Sequence, residues 1–491
     1  MSRVHRWVWV GMFAALCGQP AAAEDLLQVY RQALDSDPVL KAAVASREAA
    51  QEAKPQARAL LLPNVGINAE QGRTSVSGQA DFNSHNYVIG LEQPIYNRDS
   101  LVRQRLADSV VGQSDVDLRN TNNELILRVS TNYFGVLFAL DNLTYATAEK
   151  NAFARQLEQA NRRFEVGLAT ITDVYDAQAR FDDAVSQEID ATTKLADARE
   201  SLRQLTGQEY ARLNLLSERM PLSLPKPNDA EAWVRMALDN NLQLLSAGFS
   251  VDQARQNIQL QKAGHYPTLD LRASSTDLDN SITNTTSHQV NLQLVIPLYT
   301  GGAVSSRSRQ AAYDYEASRQ NLEDRQRQTV RIVRNAYRGQ ETAISLIKAR
   351  DQTRVSTRSA LEANQAGYEV GTRTIVDVLD AESKVYLAAR QYAEARYSYI
   401  KNYLTLRQAA GQLSETDVAE INGWLGEPRS TSDIASGLES SAKPISQGAG
   451  PEISAKPMGE EPIQPAPPKN KANGKRASKA PVESGAPPSK Q

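Results

Sequence analysis

The chain of 491 residues has one cysteine, four histidines, 6% aromatic residues and a net charge of −2. Each shortage excludes something. A single cysteine, Cys17, leaves no disulfide within the chain. The histidines are His5, His85, His265 and His288, and their spacing suits no metal. No phosphate loop, nucleophile elbow or zinc helix motif occurs, so no catalytic site, cofactor or metal is expected. A near-neutral chain gives no electrostatic case for nucleic acid. Past the N-terminus no apolar run is long enough for a membrane helix. The richest, Tyr133 to Leu140, reads as helix core.

The two ends differ from the rest. Arg3 and Arg6 precede an apolar run, Trp7 to Cys17, and a small-residue site, Ala21-Ala22-Ala23. This is the pattern of a secretory signal over residues 1–23, with the mature chain starting at Glu24. Leu16 is too large to precede a lipidated cysteine, so no lipid anchor is expected. Residues 427–491 are rich in Pro, Ser, Gly, Ala and Lys, as in Pro465-Ala466-Pro467-Pro468-Lys469. Such a segment buries too little apolar surface to offset its ordering entropy, and a disordered tail is expected.

What lies between is written twice. Val166-Gly167-Leu168-Ala169-Thr170-Ile171-Thr172-Asp173-Val174 returns 204 residues later as Val370-Gly371-Thr372-Arg373-Thr374-Ile375-Val376-Asp377-Val378. The same offset links Ala33-Leu34-Asp35 to Ala237-Leu238-Asp239 and Pro63 to Pro267. A period this long is no short solenoid unit. It divides the chain into two similar halves, about 24–227 and 228–426.

Each half has the same order: helix, strand, strand, long helix, turn, helix. Leu26 to about Ala59 has helical spacing and stops before Pro63. Alternation of apolar and polar residues predicts strand pairs at 64–75 with 84–96, and 268–276 with 288–299. Residues 101–163 and 303–366 contain no proline and three glycines between them. Each predicts a helix of roughly 95 Å, long enough to demand coiled-coil-like packing. Gly167 and Gly371 suit left-handed positions just past those helices. Thr170-x-x-Asp173 and Thr374-x-x-Asp377 resemble capping boxes that start the next helix.

Four amphipathic strands cannot close a barrel, and open edges are excluded from lipid. If they span a membrane, several chains must contribute; three chains give twelve strands, an allowed even number. Asp377 and Asp380 share a helix face. Threefold symmetry would gather six carboxylates around one axis and favour cations. Helix capping also suits Asp377. Asp173 and Asp176 hold the equivalent places in the first half.

The chain resembles the TolC family of outer-membrane efflux and secretion channels. The strings that carry the resemblance are Tyr368-Glu369-Val370-Gly371 through Asp380-Ala381, Arg163-Phe164-Glu165-Val166-Gly167-Leu168, and Pro297-Leu298-Tyr299-Thr300-Gly301-Gly302. The missing lipid-attachment site places it apart from the lipid-anchored drug channels of that family. The resemblance implies an α+β membrane protein, a homotrimer with a twelve-stranded outer-membrane barrel continuing into a periplasmic α-helical barrel. Its implied partners are outer-membrane lipid, a periplasmic membrane-fusion adaptor and an inner-membrane RND or ABC transporter. It also implies that Asp377 and Asp380 form the entrance ring. Tyr368 and Arg373 would form a closed-state lock with Thr172 and Asp173, and Gln156 would pair with Gln365. The alternative from another class is a periplasmic coiled-coil scaffold or adaptor without a pore.

Overall fold

The computed structural model describes residues 24–426 apart from 76, 79–81, 211 and 281–283. The expected signal segment and tail lie outside the described residues. The N-terminal helical stretch is three helices, α1 (Leu26–Ser36), α2 (Pro38–Gln51) and α3 (Ala53–Ala59), where one continuous helix was expected. The reason is local. Pro38 disfavours helical geometry at Asp37, which is extended and caps α2 by accepting from the Leu40 amide at 2.9 Å. Pro55 lacks the amide that would carry the helix across Gln51.

Two strands follow, β1 (Asn64–Thr74) and β2 (Phe82–Asn97), then α4 (Arg98–Glu165) and α5 (Ile171–Thr206). The second half repeats this with α6 (Ala230–Asn240), α7 (Leu242–Ala263), β3 (Thr268–Asn280), β4 (Asn284–Val295), α8 (Ala303–Glu369) and α9 (Ile375–Ala409). A short α10 (Glu415–Asn422) closes the described chain. Asn241 stands 204 residues after Asp37 and breaks the second half at the matching point without a proline. Its side chain accepts from the Leu244 amide at 3.1 Å. The fourth strand starts and stops about four residues earlier than alternation suggested. Pro297 cannot donate to a ladder, and the chain leaves the sheet before it.

The long helices are unbroken, at 68 and 67 residues, or roughly 100 Å each. α4 pairs with α5 and α8 with α9. Their seams carry small residues at sevenfold spacing: Ala177, Ala184 and Ala191 in α5, matched by Ala381, Ala388 and Ala395 in α9. Heptad spacing keeps one stripe on the partner helix, and alanine lets the backbones approach closely. The largest core forms a belt where α1, α4, α9, α10 and residues 210–222 meet. Tyr133 lies at its centre, its hydroxyl donating to the carbonyls of Asn214 at 2.8 Å and Glu24 at 3.2 Å.

The four strands form one antiparallel sheet in the order β1-β2-β3-β4. Residues opposite each other share a face. Val65, Leu91, Ala273 and Val290 line up across it, as do Ile67, Ile89, Ser275 and His288. The other face carries Asn64, Glu92, Arg272 and Asn291, with Arg272 paired to Glu92 at 2.8 Å. The apolar face is bare: Ile67 is 75% exposed and Leu292 66%. β1 and β4 are open edges. Among the described residues no helix is long and apolar enough to cross a membrane.

Candidate functional site

The candidate site is the pair of turns that end α4 and α8. Both are Schellman motifs. Leu168 N donates to Arg163 O at 2.8 Å and Gly167 N to Phe164 O at 2.9 Å; Thr372 and Gly371 repeat this with Gly367 at 2.8 Å and Tyr368 at 3.2 Å. The glycines sit at φ of +74° and +78°, where a side chain would be strained. The next helices start with complete capping boxes. Thr170 N donates to Asp173 at 2.8 Å and Asp173 N to the Thr170 hydroxyl at 3.2 Å; Thr374 and Asp377 do the same at 2.9 and 3.2 Å. The backbone hydrogen bond from Thr374, and then its hydroxyl, hold the Asp377 carboxyl below the usual range.

The expected site residues divide into groups. Asp377 caps its own helix, while Asp380 is ion-paired with Arg180 of α5. That arginine was not singled out in the sequence, where nothing local marks it; it comes from the other half of the chain. Tyr368 packs against a buried cluster that joins Phe153, Ala160, Ala177 and Ala184 of the first hairpin to Ile375 and Leu379 of the second, and the Arg163 guanidinium lies 4.6 Å from its ring centre. Thr172 is exposed, its hydroxyl 2.6 Å from that of Thr170. Among the described residues of one chain, no hydrogen bond joins Thr172 or Asp173 to Tyr368 or Arg373. The Asp173 carboxylate is already engaged by Thr170. Arg373 is exposed and close enough to Asp377 to help hold its carboxyl ionised.

The pairing of Gln156 with Gln365 does not form within the chain. Gln156 instead donates to Glu382 at 3.2 Å. α4 packs on α9 here, and Gln156 and Glu382 each stand eleven residues from their turn glycine, so they reach equal depth. Glu382 is buried, and burial raises its carboxyl against the effect of the Gln156 bond. Deeper still, the Glu149 carboxylate accepts from Arg390 at 2.9 Å and from the Ser383 hydroxyl at 3.2 Å. A partial sequence signal exists: Glu149 and Glu382 are carboxylates in runs of α4 and α9 whose other buried residues are largely alanine, which marks them but not their partners.

The arrangement offers capped turns, an acidic helix start and polar links between two hairpins. Comparison with known proteins gives the chain's family. The family model "Outer membrane efflux protein" matches residues 29–208 and 233–412, both limits shifted by the 204-residue repeat. The outer membrane protein TolC of Vibrio cholerae is 42% identical over 413 residues, 82% of this chain and 94% of that one. The alkaline protease secretion protein AprF of Pseudomonas aeruginosa is 32% identical over 436 residues, covering 85% and 90%. The crystal structure of the outer membrane protein VceC of Vibrio cholerae superposes with a TM-score of 0.69 at 17% identity, covering 79% of this chain and 96% of that one. The repeat, the fold and these matches together place the chain in the outer membrane efflux protein family.

Proposed function

We propose that three copies of the chain close one twelve-stranded barrel in the outer membrane and continue it as a helical tunnel through the periplasm. The chain serves in that membrane as the exit duct for efflux and type I secretion, in line with its TolC and AprF relatives. The observation that carries the trimer is the sheet. One face is apolar and exposed, and both edges are open. Lipid tolerates such a face and excludes such edges, so neighbouring copies must pair them. Twelve strands make an even, closed set.

The capped turns then form the inner end of the duct. Tyr368 and Arg373 of one hairpin would lock against Thr172 and Asp173 across a boundary between neighbouring chains, since within one chain no hydrogen bond joins the two sets. Gln365 would find its partner there too. Each such link contributes about 0.5–3 kcal/mol, enough to bias a closed state and weak enough for a docked partner to overcome. The partners are a periplasmic membrane-fusion adaptor and an inner-membrane RND or ABC transporter, which supplies the energy.

Two measurements test this. Detergent extracts of outer membrane should yield trimers; a monomer from the soluble periplasm would sink the reading. In planar bilayers, Tyr368→Phe with Arg373→Ser should raise single-channel conductance several-fold while trimers persist. Parental conductance in that variant would mean that the closed state is held elsewhere.

A further inference from the structure

The two hairpins of one chain meet along α4 and α9, and of the residues bonded across that seam only Gln156 was expected. Glu149 is 1% exposed. It is held by Arg390 at 2.9 Å and Ser383 at 3.2 Å, both on the opposite hairpin. It stands eighteen residues before Gly167, and Arg390 nineteen after Gly371. Both are therefore roughly 27 Å from the turns, beyond reach of the lock residues. Lys150 does not compete for Glu149, because it is bonded to Glu188 of its own hairpin at 2.6 Å. Nearer the turns lies the Gln156–Glu382 link.

We propose that Glu149, Arg390 and Ser383 form a second clasp between the hairpins, deeper than the turns, that sets how readily the inner end of the duct opens. A buried ion pair is a particular kind of fastening. The attraction of its members is largely offset by the water they gave up, so closing over it gains little. Once the hairpins part, both charges recover hydration. A charged seam therefore holds position and register, yet opens at smaller cost than an apolar seam of the same size. Losing one partner is different: it leaves an uncompensated buried charge, which separation relieves.

This makes a prediction of opposite signs, resting on the gated-channel reading. Arg390→Met strands the Glu149 carboxylate and should raise single-channel conductance about threefold or more, with trimers intact. Glu149→Leu with Arg390→Met makes the seam apolar and should return conductance to the parental level or below. A residue that merely supports the fold would not give a second substitution that reverses the first. Tyr368→Phe with Arg373→Ser, measured alongside, separates the two ideas. If the turn variant opens the channel and Arg390→Met does not, the clasp is wrong and the gate stands. If neither the parent nor the turn variant conducts, the gated-channel reading fails. Should Arg390→Met not assemble, Arg390→Gln takes its place, keeping a donor near Glu149 but no charge. A leakier channel then supports the clasp and parental conductance overturns it. Equal leakiness of the single and apolar double variants overturns it too.

Discussion

At the scale of single residues, charges matter according to their partners. Asp37 is 1% exposed and does two jobs: it caps α2 and takes two bonds from Arg128, at 2.7 and 3.2 Å. Burial alone would raise its carboxyl. The Arg128 bond and the Leu40 amide outweigh that and hold it below the usual range. A depressed carboxyl stabilises the fold above its unfolded pKa and loses that contribution as pH falls through the folded value. Asp37→Ala, which leaves Arg128 without its partner, should cost about 3 kcal/mol in thermal unfolding at neutral pH, and the gap from the parent should narrow in acid. At the start of α9, the proposed entrance, Asp380 shares its charge with Arg180, whereas Asp377 has only capping hydrogen bonds and the more distant Arg373. Arg180→Met should therefore strengthen cation preference in reversal-potential measurements, and Asp377→Ala should weaken it more than Asp380→Ala. Equal effects of the two aspartates would show that Arg180 does not screen the ring.

At the scale of elements, the sheet makes the plainest claim. Leu292 faces the apolar side and its neighbour Asn291 the polar side. Leu292→Arg should cost about 2–4 kcal/mol if that position lies near the middle of the bilayer, and Asn291→Arg should cost far less. Yields of folded trimer in liposomes would read the difference, and equal losses would contradict the assignment of faces. These elements were legible in the sequence because each is governed by local period. Alternation marked the strands, proline-free length marked α4 and α8, and glycine followed by Thr-x-x-Asp marked the turns. The break at Asp37 was legible in principle from Pro38, but the matching break at Asn241 was not, since asparagine tolerates either conformation. The pairing of Gln156 with Glu382 and of Asp380 with Arg180 lay beyond reach for another reason. Residues about 200 positions apart meet only when two helices choose a rotation about their axes, and periodicity within one helix does not set the register between two.

At the scale of the whole molecule, one chain is a complete set of parts and an incomplete object. Its helices bury their seams, but its sheet ends at two unpaired strands, β1 and β4. That geometry has a consequence in time. An exported subunit carries two adhesive rims before it has neighbours, and any passing extended segment can bind them. Folding of the strands cannot safely run ahead of meeting the right partners, so membrane insertion and oligomerisation must be one event. The same dependence makes faults contagious. A subunit with a spoiled rim does not simply drop out. In the proposed trimer it would take two sound neighbours with it, and in a mixed population most assemblies would inherit the defect.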